Sequence, residues 1–293
     1  MSVEPRPAAT VVLVREGSAG QGPPEIFFVK RHHRSGFMAN AYVFPGGRLD
    51  PSDCELSNQH CVDGDPEPLV ASMVGVEQDS VAVGHVLAGL RETFEEAGIL
   101  IARGTYGNSS SAPVADLERL AAHRDALNQG ERSFASILAS ENLHVSLEDV
   151  HYFAHWITPV IEKRRYEARF FVAEAPAEQS GSHDDIETTD SCWLTASDAL
   201  KAYDRGGFSL APPTWCVLRD LARFQRAAEV LDWAKGMKSV PAIMPHFIQS
   251  DGMTALTLPG DSEHPETLGE TNRNRIVLRD GRWWDPSGGS TAK

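Results

Sequence analysis

Long apolar runs are missing from this 293-residue sequence: no stretch of about 18 such residues occurs, which excludes an ordinary membrane-spanning helix. Met1 to Pro7 lack the basic-then-apolar order of a secretory signal, and Thr291-Ala292-Lys293 is not a Ser-Lys-Leu peroxisomal address, so a cytoplasmic location is expected. Cysteine is scarce. Cys54, Cys61, Cys192 and Cys216 form no C-x-x-C pair and no regular framework, which argues against a zinc site or disulfide scaffold and for reduced thiols. Basic residues are few as well, 27 Lys and Arg against 41 Asp and Glu, for a formal net charge of −14. That balance argues against a nucleic-acid polymer as partner, since such proteins present a broad basic face to phosphates. Any anionic ligand must therefore find local compensation. Lysine and arginine are absent altogether from Leu49 to Leu90, where Asp50, Asp53, Glu55, Asp63, Asp65, Glu67, Glu77 and Asp79 accumulate. This stretch reads as an inserted, solvated excursion. Internal repeats and long low-complexity tracts are lacking too.

What is present, 41% hydrophobic and 23% charged residues, lies in the globular range and allows one large domain or two small ones. Ala9 to Arg15 and Glu25 to Arg31 read as strands separated by the Gly/Pro-rich Gly17 to Pro24, and Ala41 to Phe44 as a third strand. Pro45-Gly46-Gly47 reads as the turn that stops it, because proline removes a donor and glycine reaches conformations closed to other residues. A helix is expected from an N-cap at Asp79 or Ser80 to Gly98, a good C-terminal cap. At 3.6 residues per turn it places Val83, Leu87, Leu90, Phe94 and Ala97 on one stripe and Glu92, Glu95 and Glu96 on the opposite side. Helices over Val114 to Leu127 and Ser133 to Ala139 follow, then strands over Tyr152 to Val160 and Tyr166 to Val172. A strand-then-helix unit at Ser191 to Ala202, one long amphipathic helix at Thr214 to Lys235 and a hairpin around Asp280-Gly281 complete the pattern.

Three carboxylates at i, i+3 and i+4 repel one another unless a cation resides there or the face is fully solvated. A solvated acidic face, with Arg91 and Glu95 an ordinary i,i+4 pair, is one reading. The other is a metal site, because hard oxygen ligands on a rigid helix suit magnesium, which keeps several waters and is completed by substrate phosphates.

The segment Arg91-Glu92-Thr93-Phe94-Glu95-Glu96-Ala97-Gly98-Ile99 resembles the second half of the Nudix box, G-x(5)-E-x(7)-R-E-U-x-E-E-x-G-U. Thr93 fills an aliphatic position, Gly47 matches the leading glycine, and Asp53 stands in place of the first glutamate. Cys54 through Leu90 number 37 residues where the pattern has seven, so about 30 residues are inserted. A box split in this way resembles the peroxisomal coenzyme A diphosphatase branch of the Nudix hydrolases. Phe27 to Arg31, Arg34-Ser35-Gly36-Phe37-Met38, Ala41 to Gly47, Trp156 to Pro159, Arg169-Phe170-Phe171 and Arg275 to Trp283 look like that branch too.

The resemblance implies an α/β (α+β) fold, an α/β/α sandwich with a mixed β-sheet, in a single elaborated domain over 1–293. The insertion would fall at about 54–79 and a C-terminal helical extension with a hairpin at about 196–285. It implies hydrolysis of a diphosphate with magnesium or manganese as cofactor. Glu95 and Glu96 would be the main ligands, Glu92 a further ligand or the base, Arg91 their orienting partner, and a carbonyl of Gly46 or Gly47 a further donor. Glu187 is a second candidate base, with a solvated loop glutamate as its preferred reading. The expected substrate is coenzyme A or an acyl-coenzyme A, with ADP-ribose or a dinucleotide pyrophosphate next, and a non-catalytic nucleotide-binding module as the alternative class. Arg31, Arg34, Lys163, Arg165 and Arg169 are the expected contacts to substrate phosphates. Neither nucleic acid nor membrane is expected as partner, and a homodimer is left open.

Overall fold

The computed structural model describes residues 3–17, 20, 22–35, 38–56, 61–104, 117–250, 252–266 and 274–286. Gly36, Phe37, the start of the helix expected from Val114, part of the insertion and the C-terminal tripeptide lie outside them. Along the chain come β1 (Arg6–Arg15), β2 (Glu25–Arg31), β3 (Tyr42–Val43), β4 (Gly46–Arg48), α1 (Pro51–Leu56), β5 (Val62–Asp63), α2 (Glu67–Ser72) and α3 (Asp79–Ala97). Then follow β6 (Arg103–Gly104), α4 (Leu117–Asn128), α5 (Phe134–Ser140), β7 (Leu143–Ser146), β8 (Val150–Ile157) and β9 (Tyr166–Glu174). The rest is β10 (Thr188–Thr195), α6 (Ala196–Asp204), α7 (Pro212–Leu221), α8 (Ala227–Lys235), β11 (Ala242–Ile243), β12 (His246–Ser250), β13 (Met253–Thr257), β14 (Arg275–Arg279) and β15 (Arg282–Trp284). Among the described residues no helix is long and apolar enough to cross a membrane.

The largest sheet runs β10-β2-β1-β9-β8-β11, with β3 beside β2 and β4 beside β1. It is mixed, as expected: β1–β2, β2–β10 and β1–β4 are antiparallel and β8–β11 is parallel. Two compact units divide the chain, one of Ala8–Ala154 with Arg169–Val240, the other of Met1–Pro7, His155–Ala168 and Pro241–Lys293. In the first, the strands are covered on both faces, which is why β1 and β2 read as nearly continuous apolar runs. Val11 and Leu13 of β1, Phe27 and Val29 of β2 and Phe171 of β9 pack in one core with Leu87, Leu90 and Phe94 of α3. On the other face Phe28 of β2 meets Phe208 edge-on at 5.3 Å and Phe153 of β8 meets Trp233 of α8 at 5.6 Å. Helix, sheet, helix is the expected sandwich. The second unit holds the antiparallel sheet β12-β13-β14-β15, whose last turn uses Asp280 (φ 49°) and Gly281 (φ 75°), as the hairpin reading requires. There Asp261 is fully buried and accepts from Arg275 Nε at 2.7 Å and Nη2 at 2.5 Å.

Four expectations are corrected. Gly46 and Gly47 are not a turn but belong to β4, registered against Thr10 and Ala9 of β1. The acidic excursion is not merely solvated: α1 and α2 lie against α3, and Asp53, Leu56, Ser72 and Met73 are buried. The N-cap of α3 is Gln78, in extended conformation, so Asp79 opens the first turn, where its charge favours the helix dipole. The long helix from Thr214 is two helices, α7 starting on Pro212 and ending at Leu221, and α8 starting after Arg226. In the link Phe224 packs on Trp233 of α8 at 5.5 Å, and Gln225 N–H donates to Glu229 Oε2 at 2.8 Å, a local contact that starts α8 afresh.

Leu87, fully buried where α3 meets the sheet, tests the layer arrangement. Leu87→Ala is expected to cost about 2–5 kcal/mol through lost burial and a residual cavity. A thermal midpoint equal to that of the unaltered protein would contradict this placement.

Candidate active site

Both sides of α3 are buried, for different reasons. The apolar stripe faces the core, while on the opposite side Glu92, Glu95 and Glu96 have side chains only 16%, 24% and about 5% exposed. The fully solvated acidic face is therefore excluded. Glu96 Oε2 accepts the Gly46 N–H at 3.0 Å, and the Glu92 carboxyl lies directly over Gly47. A Cβ added to Gly47 would fall 2.2 Å from Glu92 Cδ, and one added to Gly46 would fall 2.4 Å from the Ala9 carbonyl oxygen. The first glycine leaves room for a carboxylate and the second for a neighbouring strand. Pairing of β4 with β1 thus sets the floor on which the helix carboxylates rest.

Arg91 organises the other side. Its Nε and Nη2 donate to the two carboxylate oxygens of Asp53 at 2.9 and 3.0 Å, and Nη2 also donates to the Arg48 carbonyl at 3.0 Å. Nη1 donates to Glu92 at 3.0 Å and to Glu95 at 3.3 Å. One buried guanidinium joins α1, β4 and α3. Asp53 receives its paired, charge-assisted hydrogen bonds, and its second oxygen also takes the Asp50 N–H at 2.9 Å. The shorter carboxylate in the first acidic position of the motif reaches its partner. Fixed spacing from Gly47 pointed to this residue, but only the fold reveals its contact.

Negative charge is in surplus. Burial, then the nearby Glu92, raises the Glu96 carboxyl well above the ordinary range. Burial, opposed by Arg91 and assisted by Glu95, pushes Glu92 up to about 7, and burial raises Glu95. Glu187, exposed on the loop before β10, is near enough for its charge to raise all three. It is a loop glutamate, as read from sequence. Among the described residues no three His, Cys, Asp or Glu groups converge closely enough to hold an ion unaided. The donors present nonetheless fit magnesium or manganese: they are hard oxygens, Glu96 is deeply buried and makes no salt bridge among the described residues, and such ions keep waters and take substrate oxygens as ligands.

The five basic residues separate. Arg31, half-buried with Nε and Nη2 on Ser35 Oγ at 3.1 and 3.0 Å, is close enough to pull the Glu96 carboxyl down. Arg34 and Lys163 are exposed. Arg165 corrects the expectation: it is buried in the second unit, donating to the carbonyls of Thr158 and Val3 at 2.9 and 2.7 Å and lying 3.4 Å from the Met244 sulfur. Arg169 is buried, with Nη2 donating to the Val74 carbonyl at 3.4 Å. Charge is legible in sequence, but whether the chain spends it on its own carbonyls is not.

Two outcomes follow from this geometry. Gly47→Ala must displace the Glu92 carboxyl, so turnover should fall by about 10–100-fold while circular dichroism is unchanged. Undiminished turnover would refute the stated seat of Glu92. Because Glu92 and Glu96 bind protons more tightly folded than unfolded, that contribution to stability is complete below the ordinary carboxylate pKa and lost as pH rises through about 7 for Glu92. The thermal midpoint of metal-free protein should therefore rise as pH is lowered from 8 to 6, tracked by scanning fluorimetry, and less so in Glu96→Gln.

A family model described as the NUDT19 Nudix domain matches residues 5–223. The Xenopus laevis protein named acyl-coenzyme A diphosphatase NUDT19 is 26% identical over 284 residues, covering 87% of this chain and 75% of the relative. The Homo sapiens protein of the same name is 26% identical over 310 residues, covering 89% and 80%. Among solved structures, a NUDIX hydrolase from Alicyclobacillus acidocaldarius superposes with a TM-score of 0.60 at 26% identity, over 78% of this chain and 96% of that one. The resemblance read from the split box is thus borne out, and the chain belongs to the family of the NUDT19 Nudix domain.

Proposed function

We propose that this protein hydrolyses the diphosphate of coenzyme A or an acyl-coenzyme A, releasing adenosine 3′,5′-bisphosphate and the corresponding 4′-phosphopantetheine, with magnesium or manganese as cofactor. The observation that carries the reading is the single buried cluster in which Arg91 binds Glu92 and Glu95 while Glu96 rests on Gly46. Two relatives that match over most of the chain carry the name acyl-coenzyme A diphosphatase, which favours this substrate over ADP-ribose and dinucleotides.

Glu95, Glu96 and a main-chain carbonyl of Gly46 or Gly47 would hold the ion, which when bound neutralises diphosphate charge and acidifies water. Glu92, whose proton affinity lies near neutrality, suits removal of a proton from the attacking water, with Glu187 as the second acceptor. The water oxygen adds to one phosphorus, the bridging P–O bond breaks, and the other phosphate leaves with the bond electrons. Arg91 keeps Glu92 and Glu95 oriented throughout, so the protein chiefly positions and neutralises. Arg31, next to the carboxylates, and exposed Arg34, both in the first unit, would meet the 3′-phosphate.

The test is a panel of diphosphate compounds with magnesium, products identified by mass spectrometry. Coenzyme A should be cut faster than dephospho-coenzyme A, with Arg31→Gln narrowing the difference. Glu96→Gln should remove turnover by orders of magnitude while the protein stays folded. Equal kcat/KM for the two compounds would refute 3′-phosphate recognition, faster cleavage of ADP-ribose would replace the substrate, and undiminished turnover in folded Glu96→Gln would sink the metal assignment.

A further inference from the structure

The last four carbonyls of a helix have no partner within it, and in α3 these belong to Phe94, Glu95, Glu96 and Ala97. Phe94 is served locally by the N–H of Gly98, which takes the left-handed conformation at φ 68°. The other three are served from outside. Arg124 of α4 donates Nε to the Glu95 carbonyl at 2.8 Å and Nη2 to the Glu96 carbonyl at 2.7 Å. Ser182 N–H donates to the Ala97 carbonyl at 2.9 Å. Arg124 Nη2 also donates to the Ser182 carbonyl at 3.0 Å, so one guanidinium binds both the helix end and the loop beside it.

That loop leads to Glu187. Gln179 anchors its start, accepting from Leu100 N–H at 2.8 Å and donating to the Leu100 carbonyl at 3.0 Å. Asp184 orders its end, with Oδ1 accepting from the N–H groups of Ile186, Glu187 and Thr188 at 3.1, 3.1 and 2.8 Å. No basic residue occupies the last turn of α3, where Glu95 and Glu96 crowd the negative end of the helix dipole. Arg124 supplies the missing cation. A Cβ at Gly98 would stand 3.1 Å from Arg124 Nη1, so the absence of a side chain at Gly98 also makes room for this contact.

We propose that Arg124 is a positioning residue of the active site: it fixes the backbone of Glu95 and Glu96 and keys the Glu187 loop to that same helix end. It touches neither substrate nor ion. It lies outside the Nudix box, on a helix that carries no part of the motif. The proposal rests on the assignment of Glu95 and Glu96 as ion-binding, and its test has a readout that does not need turnover.

Arg124→Gln and Arg124→Lys are compared with Arg119→Gln, which removes a charge from the same helix but at its ion pair with Glu141. Manganese affinity is measured by calorimetry without substrate, and kcat and KM with coenzyme A and magnesium. Arg124→Gln should bind manganese about 10–100-fold more weakly and lose a similar factor in kcat with KM little altered, as for groups that orient ligands from behind. Arg124→Lys should be intermediate, since an ammonium cannot reproduce the planar fork, and Arg119→Gln should match the unaltered protein. Manganese affinity and kcat within about twofold of the unaltered protein in folded Arg124→Gln would overturn the proposal. If Arg124→Gln does not fold, Arg124→Lys decides by the same criterion, and loss of folding in both overturns it in favour of a purely structural role. An unaltered protein that binds manganese yet cleaves no coenzyme A would sink the substrate reading alone.

Discussion

Everything at the carboxylate cluster depends on one buried cation. The Arg91 guanidinium takes up Asp53, Glu92 and Glu95 and the Arg48 carbonyl together. Removing one partner of a buried pair is far more costly than the pair is stabilising, so these elements are held together mainly by the penalty for separating them. Three carboxylates on one arginine still leave negative charge over, and Glu96, which Arg91 does not reach, has a backbone N–H and the nearby charges of Arg31 and Arg124 to offset it. The cluster is rigid in shape and unbalanced in charge. A site that must take up a cation needs both properties.

The apolar side of α3 makes that imbalance tolerable. Val83, Leu87, Leu90 and Phe94 are buried against the sheet and secure the helix independently of its acidic face. Its C-terminal end, the part nearest the carboxylates, is secured by polar groups from α4 and from the loop before β10. Helix stability here comes from packing and termini, which leaves the acidic face free to be electrostatically unfavourable.

Much of this was legible beforehand, because period and capping are local. The stripe from Val83 to Ala97 and the stop at Gly98 follow from 3.6-residue spacing and one glycine, and α3 has those bounds to within a residue. Strand β2 and the hairpin at Asp280-Gly281 also lie where β-branched runs and turn residues place them. What was not legible depends on partners distant in sequence. Gly46-Gly47 becomes a strand because Ala9 and Thr10 are across from it, and α7 parts from α8 without a glycine or proline to mark the break. Arg165 reads as a phosphate ligand until its donors are found on the carbonyls of Thr158 and Val3. Arg124 carried no signal at all, since its partners are main-chain carbonyls and those have no residue signature.

The insertion follows the same logic of distance in space and distance in sequence. Between Gly47 and Asp53 the five-residue spacing of the motif is kept, and the extra residues enter only after Asp53. From Arg91 onward the spacing is again fixed, because there a single helix sets it. Asp53 and Arg91 are 38 positions apart yet 2.9 Å in contact, so their relation is set by a hydrogen bond and not by chain length. A long loop between such points costs little more closure entropy than a short one. Leu56 and Met73, buried against the same core as Leu87, offset that cost, and the chain returns to α3 with the ion pair intact. The motif is interrupted at the one junction where side chains, not backbone spacing, define it.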